Sequence, residues 1–187
     1  MKVVGAIFGA CMVVVLLLGL YLAFAAIGFY NTATQTENGI VAQYKQNQNN
    51  YDNYFKKLRE AAQVPQMYVD DMQKMWDKVM RGRYGPNGSK AMFQWIQEHN
   101  PVVDASLYGK LQTLVEAGRN SFEADQKALI DKRREYDNYR MVFPNNVLAG
   151  FLGFPKIKLE DYDIVTSEET AEVFKSKKSQ PIRLREK

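Results

Sequence analysis

Histidine and cysteine are each present once among 187 residues, and each shortage removes a class of chemistry. With His99 alone, a multi-histidine metal site cannot be assembled. Cys11 has no partner within the chain, so no intrachain disulfide is possible and packing must hold the fold. Charge is missing from one long stretch: Val3 to Phe29 has no Asp, Glu, Lys, Arg, His, Asn or Gln over 27 residues. A helix rises about 1.5 Å per residue, so roughly 20 apolar residues cross the hydrocarbon core of a bilayer. The run therefore reads as a transmembrane anchor, and nothing after Tyr30 repeats the pattern.

A cleavable signal is the competing reading. Met1 and Lys2 make a minimal positive n-region, and Ala23-Phe24-Ala25 offers a small-x-small site. Signal cores run about 7 to 15 residues, and here about 20 apolar residues precede Ala23, which favours an uncleaved anchor. Lys2 and the α-amine lie on one side of the run and Lys45 is the first basic residue on the other. The positive-inside rule then favours a single-pass protein of the cell membrane with a cytoplasmic N-terminus and an exported body. Gly5 and Gly9 could pack against a second membrane helix, although glycine is common in such segments.

The residues beyond the anchor suffice for one domain with a core. The net charge of +4 is mild but uneven, because Lys175, Lys177, Lys178, Arg183, Arg185 and Lys187 crowd the end against Glu186. From Glu37 to Ala62, Ile40, Val41, Tyr44, Tyr51, Tyr54, Phe55 and Leu58 fall at helical spacing, interrupted by a polar layer at Asn47 to Asn50. Pro65 opens a second helix that ends near Arg81, and Gly82 to Gly88 forms a loop. Ser89 caps a third helix that stops before Asn100-Pro101. Asp104 is a plausible N-cap for the longest helix, which runs to about Val142 and would measure roughly 55 Å. Such a stripe needs partners, so the expected fold is all-α: a transmembrane helix followed by an elongated antiparallel bundle of three to four helices. Pro144 closes the long helix, and the glycine-rich stretch from Val147 to Pro155 reads as a short helix and turn packed on one end. The implied division is 1–29 anchor, 30–155 bundle and 156–187 loosely ordered tail, the last including the β-like run Asp163-Ile164-Val165.

With these elements placed, the chain resembles the LemA family of bacterial membrane proteins. Phe143-Pro144-Asn145-Asn146-Val147-Leu148-Ala149 followed by Gly153-Phe154 is similar to that family's FPxNxxA…GF signature after a long helix. Tyr30-Asn31 beyond the membrane, Tyr51-Asp52 to Leu58-Arg59 with Lys56-Lys57, and Pro65 add to the resemblance. Two stretches depart from it: the arginine-rich motif is represented by Lys132-Arg133-Arg134 and Tyr136-Asp137, and the loop from Arg81 to Lys90 has no counterpart. The departures imply a divergent member, of host or phage origin. The resemblance implies an N-terminal transmembrane helix on an antiparallel bundle, and no established chemistry.

The residues themselves point away from catalysis. His99 beside Asn100-Pro101 reads as a helix-end residue. Gly85-Pro86-Asn87-Gly88-Ser89-Lys90 lacks phosphate-loop spacing and follows a helix. Asp161 with Asp163, Asp70-Asp71 and Glu168-Glu169 read as solvated acids instead of metal ligands. Tyr44, Tyr51, Tyr54 and Phe55 with Tyr136 and Tyr139 could form a stacking platform for nucleic acid, but helical spacing favours core. Lys132, Arg133 and Arg134 lie between the acids Asp131 and Glu135, as on a solvated face. The expectation is a non-enzymatic scaffold with no cofactor, metal, nucleic acid or small-molecule substrate. It contacts the bilayer through residues 3–29 and a protein partner or second copy through Phe143, Pro144, Asn145, Phe151 and Phe154, or through the Asn47 to Asn50 layer. The alternative is a factor that acts on lipid through the basic tail, where each charge near an anionic surface contributes about 1 kcal/mol.

Overall fold

The structure, a computed structural model, describes residues 2–82, 87–100, 107–165 and 175. Every regular element among them is helical: α1 (Lys2–Ala62), α2 (Val69–Met80), α3 (Gly88–His99), α4 (Leu107–Met141) and α5 (Asn145–Leu152), with 3-10 turns at Gln66–Tyr68 and Leu159–Tyr162. The β-like run at 163–165 joins no ladder, and the Val165 amide instead donates to Gln126 Oε1 at 2.9 Å. The chain divides into two compact units: Met1–Gln43 with Leu129–Tyr162, and Tyr44–Ala128 with Asp163–Lys187. This division by contacts differs from the linear one into anchor, bundle and tail.

α1 is one uninterrupted helix, although the sequence marks its apolar run and its Glu37–Ala62 stripe as separate patterns. Tyr30 to Glu37 contains neither Pro nor Gly, and Thr36 Oγ1 donates back to the Thr32 carbonyl at 2.8 Å, which keeps its hydroxyl satisfied within the helix. Burial changes abruptly along this helix. From Ile7 to Gly28 no side chain is fully buried, whereas Phe29, Ala33, Glu37 and Ile40 are buried at successive steps of four, four and three. α1 is thus exposed and apolar from Ile7 to Phe24 and becomes a packed helix at Phe29.

In the first unit, Phe29, Ala33, Glu37 and Ile40 share the interior with Leu129 and Tyr136 of α4 and with Ala149 and Phe154. The turn after α4 is held by Asn145, whose Nδ2 donates to the Tyr139 carbonyl at 2.9 Å and so satisfies an acceptor that the helix end leaves open. α5 stops at Gly153, which is left-handed with φ 69°, and the Phe154 amide returns to the Ala149 carbonyl at 2.9 Å. That Schellman-type ending favours glycine and turns Phe154 inward.

In the second unit, Phe55, Leu58 and Ala62 of α1 meet Met72, Met75, Trp76, Val79 and Met80 of α2, Met92 and Ile96 of α3, and Leu111 and Val115 of α4. α1 ends with Gln63 at φ 48°, and Asn100 Nδ2 donates to the Ala62 and Gln63 carbonyls at 3.0 and 3.3 Å. The expected Ser89 cap is corrected: α3 starts at Gly88, no side chain caps it, and Ser89 is buried inside its first turn. Gly88 lies so close to α2 that a Cβ there would come within 3.0 Å of Val79 Cγ1. The candidate cap Asp104 lies outside the described residues.

The tightest contact in this unit is between Trp76 and Gly118 of α4, where a Cβ would stand 2.7 Å from Trp76 Cη2. Trp76 is fully buried and cannot swing away, so Gly118→Ala should lower the stability of this unit by about 1 to 3 kcal/mol. Gly109→Ala on the same helix meets nothing within 4 Å and should be neutral or stabilising by up to about 1 kcal/mol. Urea unfolding of the full chain in detergent, followed by tryptophan fluorescence, compares the two.

Candidate functional site

The residues singled out at the α4–α5 junction divide into two roles. Phe143 and Phe151 are 82% and 87% exposed, with Pro144, Met141, Val142 and Val147 also exposed around them. Asn145 and Phe154 instead hold the corner together. Asn145 caps α4, and the buried Phe154 ring lies edge-on to Phe29 and Tyr30 with centroids 5.6 Å apart in each pair. Phe29 also stacks on Tyr139 at 5.5 Å, so the last residue of the apolar run is clasped from two sides.

Beneath this corner lies Glu37, a buried acid whose placement sequence reading missed. Its Oε1 accepts from the Tyr136 hydroxyl at 2.6 Å and from the Lys156 amide at 2.8 Å. Burial first, and then the adjacent Glu37, push the Tyr136 phenol well above its usual range. Arg140 adds a guanidinium 5.7 Å from the Tyr136 ring and pairs with Asp137 at 3.0 Å, while its buried Nε has no hydrogen-bond partner. The available signal was register, since Glu37 continues the spacing of Phe29 and Ala33 and falls at a core position.

The second unit carries a pocket of about 380 Å³ lined by Tyr44, Asn47, Gln48, Tyr51, Gln73, Asp77, Arg81, Phe122, Gln126 and Val165. The Tyr51 hydroxyl donates to the Asp77 carboxylate across α1 and α2. Burial, followed by that carboxylate, raises the Tyr51 phenol above its ordinary range, and Arg81 opposes the shift. The Tyr51 ring is tilted against Trp76 and Phe122 at 6.1 and 5.8 Å. The Asn47 to Asn50 layer is turned toward α4: Asn47 Nδ2 donates to the Asp125 carbonyl at 2.9 Å and Asn50 Nδ2 to its carboxylate at 2.9 Å. Gln48 and Asn49 between them are exposed. Amides, two phenols, one carboxylate and one guanidinium in an aromatic frame can hold polar groups, and the lining contains no His, Cys or Ser.

His99 ends α3 with its ring stacked on Trp95 at 4.1 Å and edge-on to Tyr68 at 4.8 Å, and its Nδ1 donates to the Trp95 carbonyl at 2.8 Å. The aromatics considered for stacking on nucleic acid fall in different units, Tyr44 to Phe55 in one and Tyr136 and Tyr139 in the other. Among the described residues no three His, Cys, Asp or Glu side chains are grouped to hold a metal ion. Of the basic tail, Lys175 is described and exposed, whereas Lys177, Lys178, Arg183, Arg185 and Lys187 lie outside the described residues. α1 is long and apolar enough to cross a membrane. Comparisons with models of protein families, with curated proteins and with solved structures find no match to this chain.

Two measurements test these networks. A phenol raised in the folded state keeps its proton while unfolded tyrosine loses it near pH 10, so its stabilisation is complete below that pH and fades above it. The second unit should lose stability above about pH 10, by at most about 1.4 kcal/mol per pH unit for each proton, and Tyr51→Phe should reduce the slope. Denaturant midpoints from tryptophan fluorescence across alkaline pH give that slope. In the first unit, Glu37→Ala strands the Tyr136 hydroxyl and the Lys156 amide and should cost about 3 kcal/mol. Hydrogen exchange of the α4 amides around Tyr136 would register the loss.

Proposed function

We propose that the chain is a non-enzymatic, single-pass membrane protein of LemA type, a scaffold that presents a helical bundle beside a cell membrane. The observation that carries this reading is the continuity of α1, whose side chains from Ile7 to Phe24 are exposed and whose remainder packs from Phe29 onward. An apolar face of that size needs either lipid or protein to cover it, and the absence of charge from Val3 to Phe29 favours lipid. An antiparallel bundle is supported in each unit separately, since partners descend along α4 as they ascend α1. Phe29 meets Tyr139 and Glu37 meets Tyr136 in one, and Asn47 meets Asp125 and Tyr51 meets Phe122 in the other. The LemA reading gains support from the signature residues having mechanical reasons: Asn145 caps, Ala149 is buried, Gly153 adopts positive φ and Phe154 enters the core.

The scaffold part of the reading rests on the second unit, where the single acid of the pocket lining is engaged by Tyr51 and the rim is built of amides. A polar, aromatic-framed recess of this kind suits docking of a polar segment of another protein or of a second copy.

Anchoring is tested by alkaline extraction of membranes. The full chain should stay with lipid, and Leu17→Arg with Leu18→Asp should release it, each charge costing about 3 kcal/mol at the centre of a span. The scaffold role is tested by a photo-crosslinking residue at Gln48 or Gln73 in intact membranes. Species heavier than the monomer are expected, and recovery of monomer alone from both positions would overturn the scaffold reading.

A further inference from the structure

The first unit leaves one apolar surface without a protein neighbour outside the α1 run. Phe143, Val147 and Phe151 follow one another at steps of four across the α4–α5 junction and are 82%, 61% and 87% exposed. α5 itself, Asn-Asn-Val-Leu-Ala-Gly-Phe-Leu, contains no charged residue. Its inner side is accounted for, with Ala149 buried and Leu148 and Leu152 half-buried, so these outward rings have no role in the unit's own packing. Two exposed phenylalanines and a valine on a charge-free helix form a surface that calls for cover.

The ring contacts decide what the cover is. Phe29 closes the apolar run, and it touches Tyr139 at the end of α4 and Phe154 just after α5; Tyr30 touches Phe154 as well. These contacts, all within the first unit, hold the α5 corner at the level where α1 leaves its apolar stretch. Ile27, one turn earlier on α1, is itself 57% exposed. The α5 corner is thereby held at the end of the apolar run, where a spanning α1 would meet the boundary between headgroups and acyl chains. Two basic residues flank the corner. Lys156 follows α5, with its Nζ 2.7 Å from the Leu152 carbonyl and 5.2 Å from the Phe154 ring, and Arg140 precedes it.

We infer that α5 and the turn before it form an interfacial anchor, with Phe143, Val147 and Phe151 inserted into the leaflet beside the exit of α1. The inference rests on α1 spanning the bilayer. It assigns the exposed rings of the α4–α5 corner to lipid instead of a protein partner, and it is independent of the basic tail.

The test uses the full chain in phosphatidylcholine–phosphatidylglycerol vesicles with an environment-sensitive fluorophore on one cysteine at a time. The native Cys11 reports on the span. Phe151→Cys and Phe143→Cys, each in a Cys11→Ser background, report on the corner, and both replace exposed side chains. Asn38→Cys, exposed and about 13 Å along the helix axis beyond Phe29, reports on water. Tryptophan emission of each variant, matched to the parent, verifies folding of the second unit.

The expected result is a blue-shifted emission at 151 and 143 that is quenched most by lipid carrying a spin label near its headgroup. Cys11 should be quenched most by a label near the chain end, and position 38 by neither. Water-like emission at 151 and 143 with Cys11 still quenched deep in the bilayer overturns the interfacial anchor and leaves the span standing. Blue-shifted emission at 151 without quenching by any spin-labelled lipid also overturns it, since protein then covers the rings. A Cys11 label that no lipid quenches overturns the spanning helix on which the inference rests.

Discussion

A single buried carboxylate organises the first unit. Glu37 sits within a stripe of buried apolar residues, Phe29, Ala33 and Ile40. It accepts one hydrogen bond from Tyr136 of α4 and another from the Lys156 amide beyond α5. Three segments distant in sequence are thereby tied to one side chain. A buried acid left without donors is costly, so this arrangement selects one register of α1 on α4 and one path for the chain after Gly153. The placement of Phe154 against Phe29, and with it the orientation of α5, follows from that choice.

The second unit is organised differently. Its interior is built on Trp76 pressed against Gly118 and surrounded by Met72, Met75, Met80 and Met92, side chains that adapt to irregular gaps. Polar contacts lie at its margin: Tyr51 with Asp77, the Asn47 and Asn50 amides on Asp125, and Asn100 on the end of α1. Side-chain hydrogen bonding is therefore concentrated at these contacts, and the methionine interior carries the packing.

Much of this architecture was legible in the sequence. The apolar run, the restart at Pro65, the glycine stop at Gly82 and the closure before Pro144 are local signals, and each element they bound is present with small shifts at its ends. Ser89 misled because a hydroxyl near a helix start is weaker evidence than the close approach of Gly88 to Val79. The unbroken course of α1 was hidden because apolar periodicity changes character at Phe29 while helix-forming residues continue through it. Glu37 was hidden because a charged residue is presumed solvated until its register is compared with its neighbours. The pocket could not be read at all: Tyr51 and Asp77 come together only through packing of α1 on α2, and no short motif encodes that meeting.

The absence of any break in α1 between Tyr30 and Glu37 has a mechanical meaning. A spanning helix whose apolar run exceeds the thickness of the bilayer accommodates the mismatch by tilting. With no hinge at the exit, that tilt passes directly to the residues that pack on Phe29, Ala33 and Glu37. With α1 spanning as proposed, membrane thickness would be converted into an angle of the first unit, and an α5 corner inserted as inferred would resist rotation about the helix axis as an outrigger resists roll.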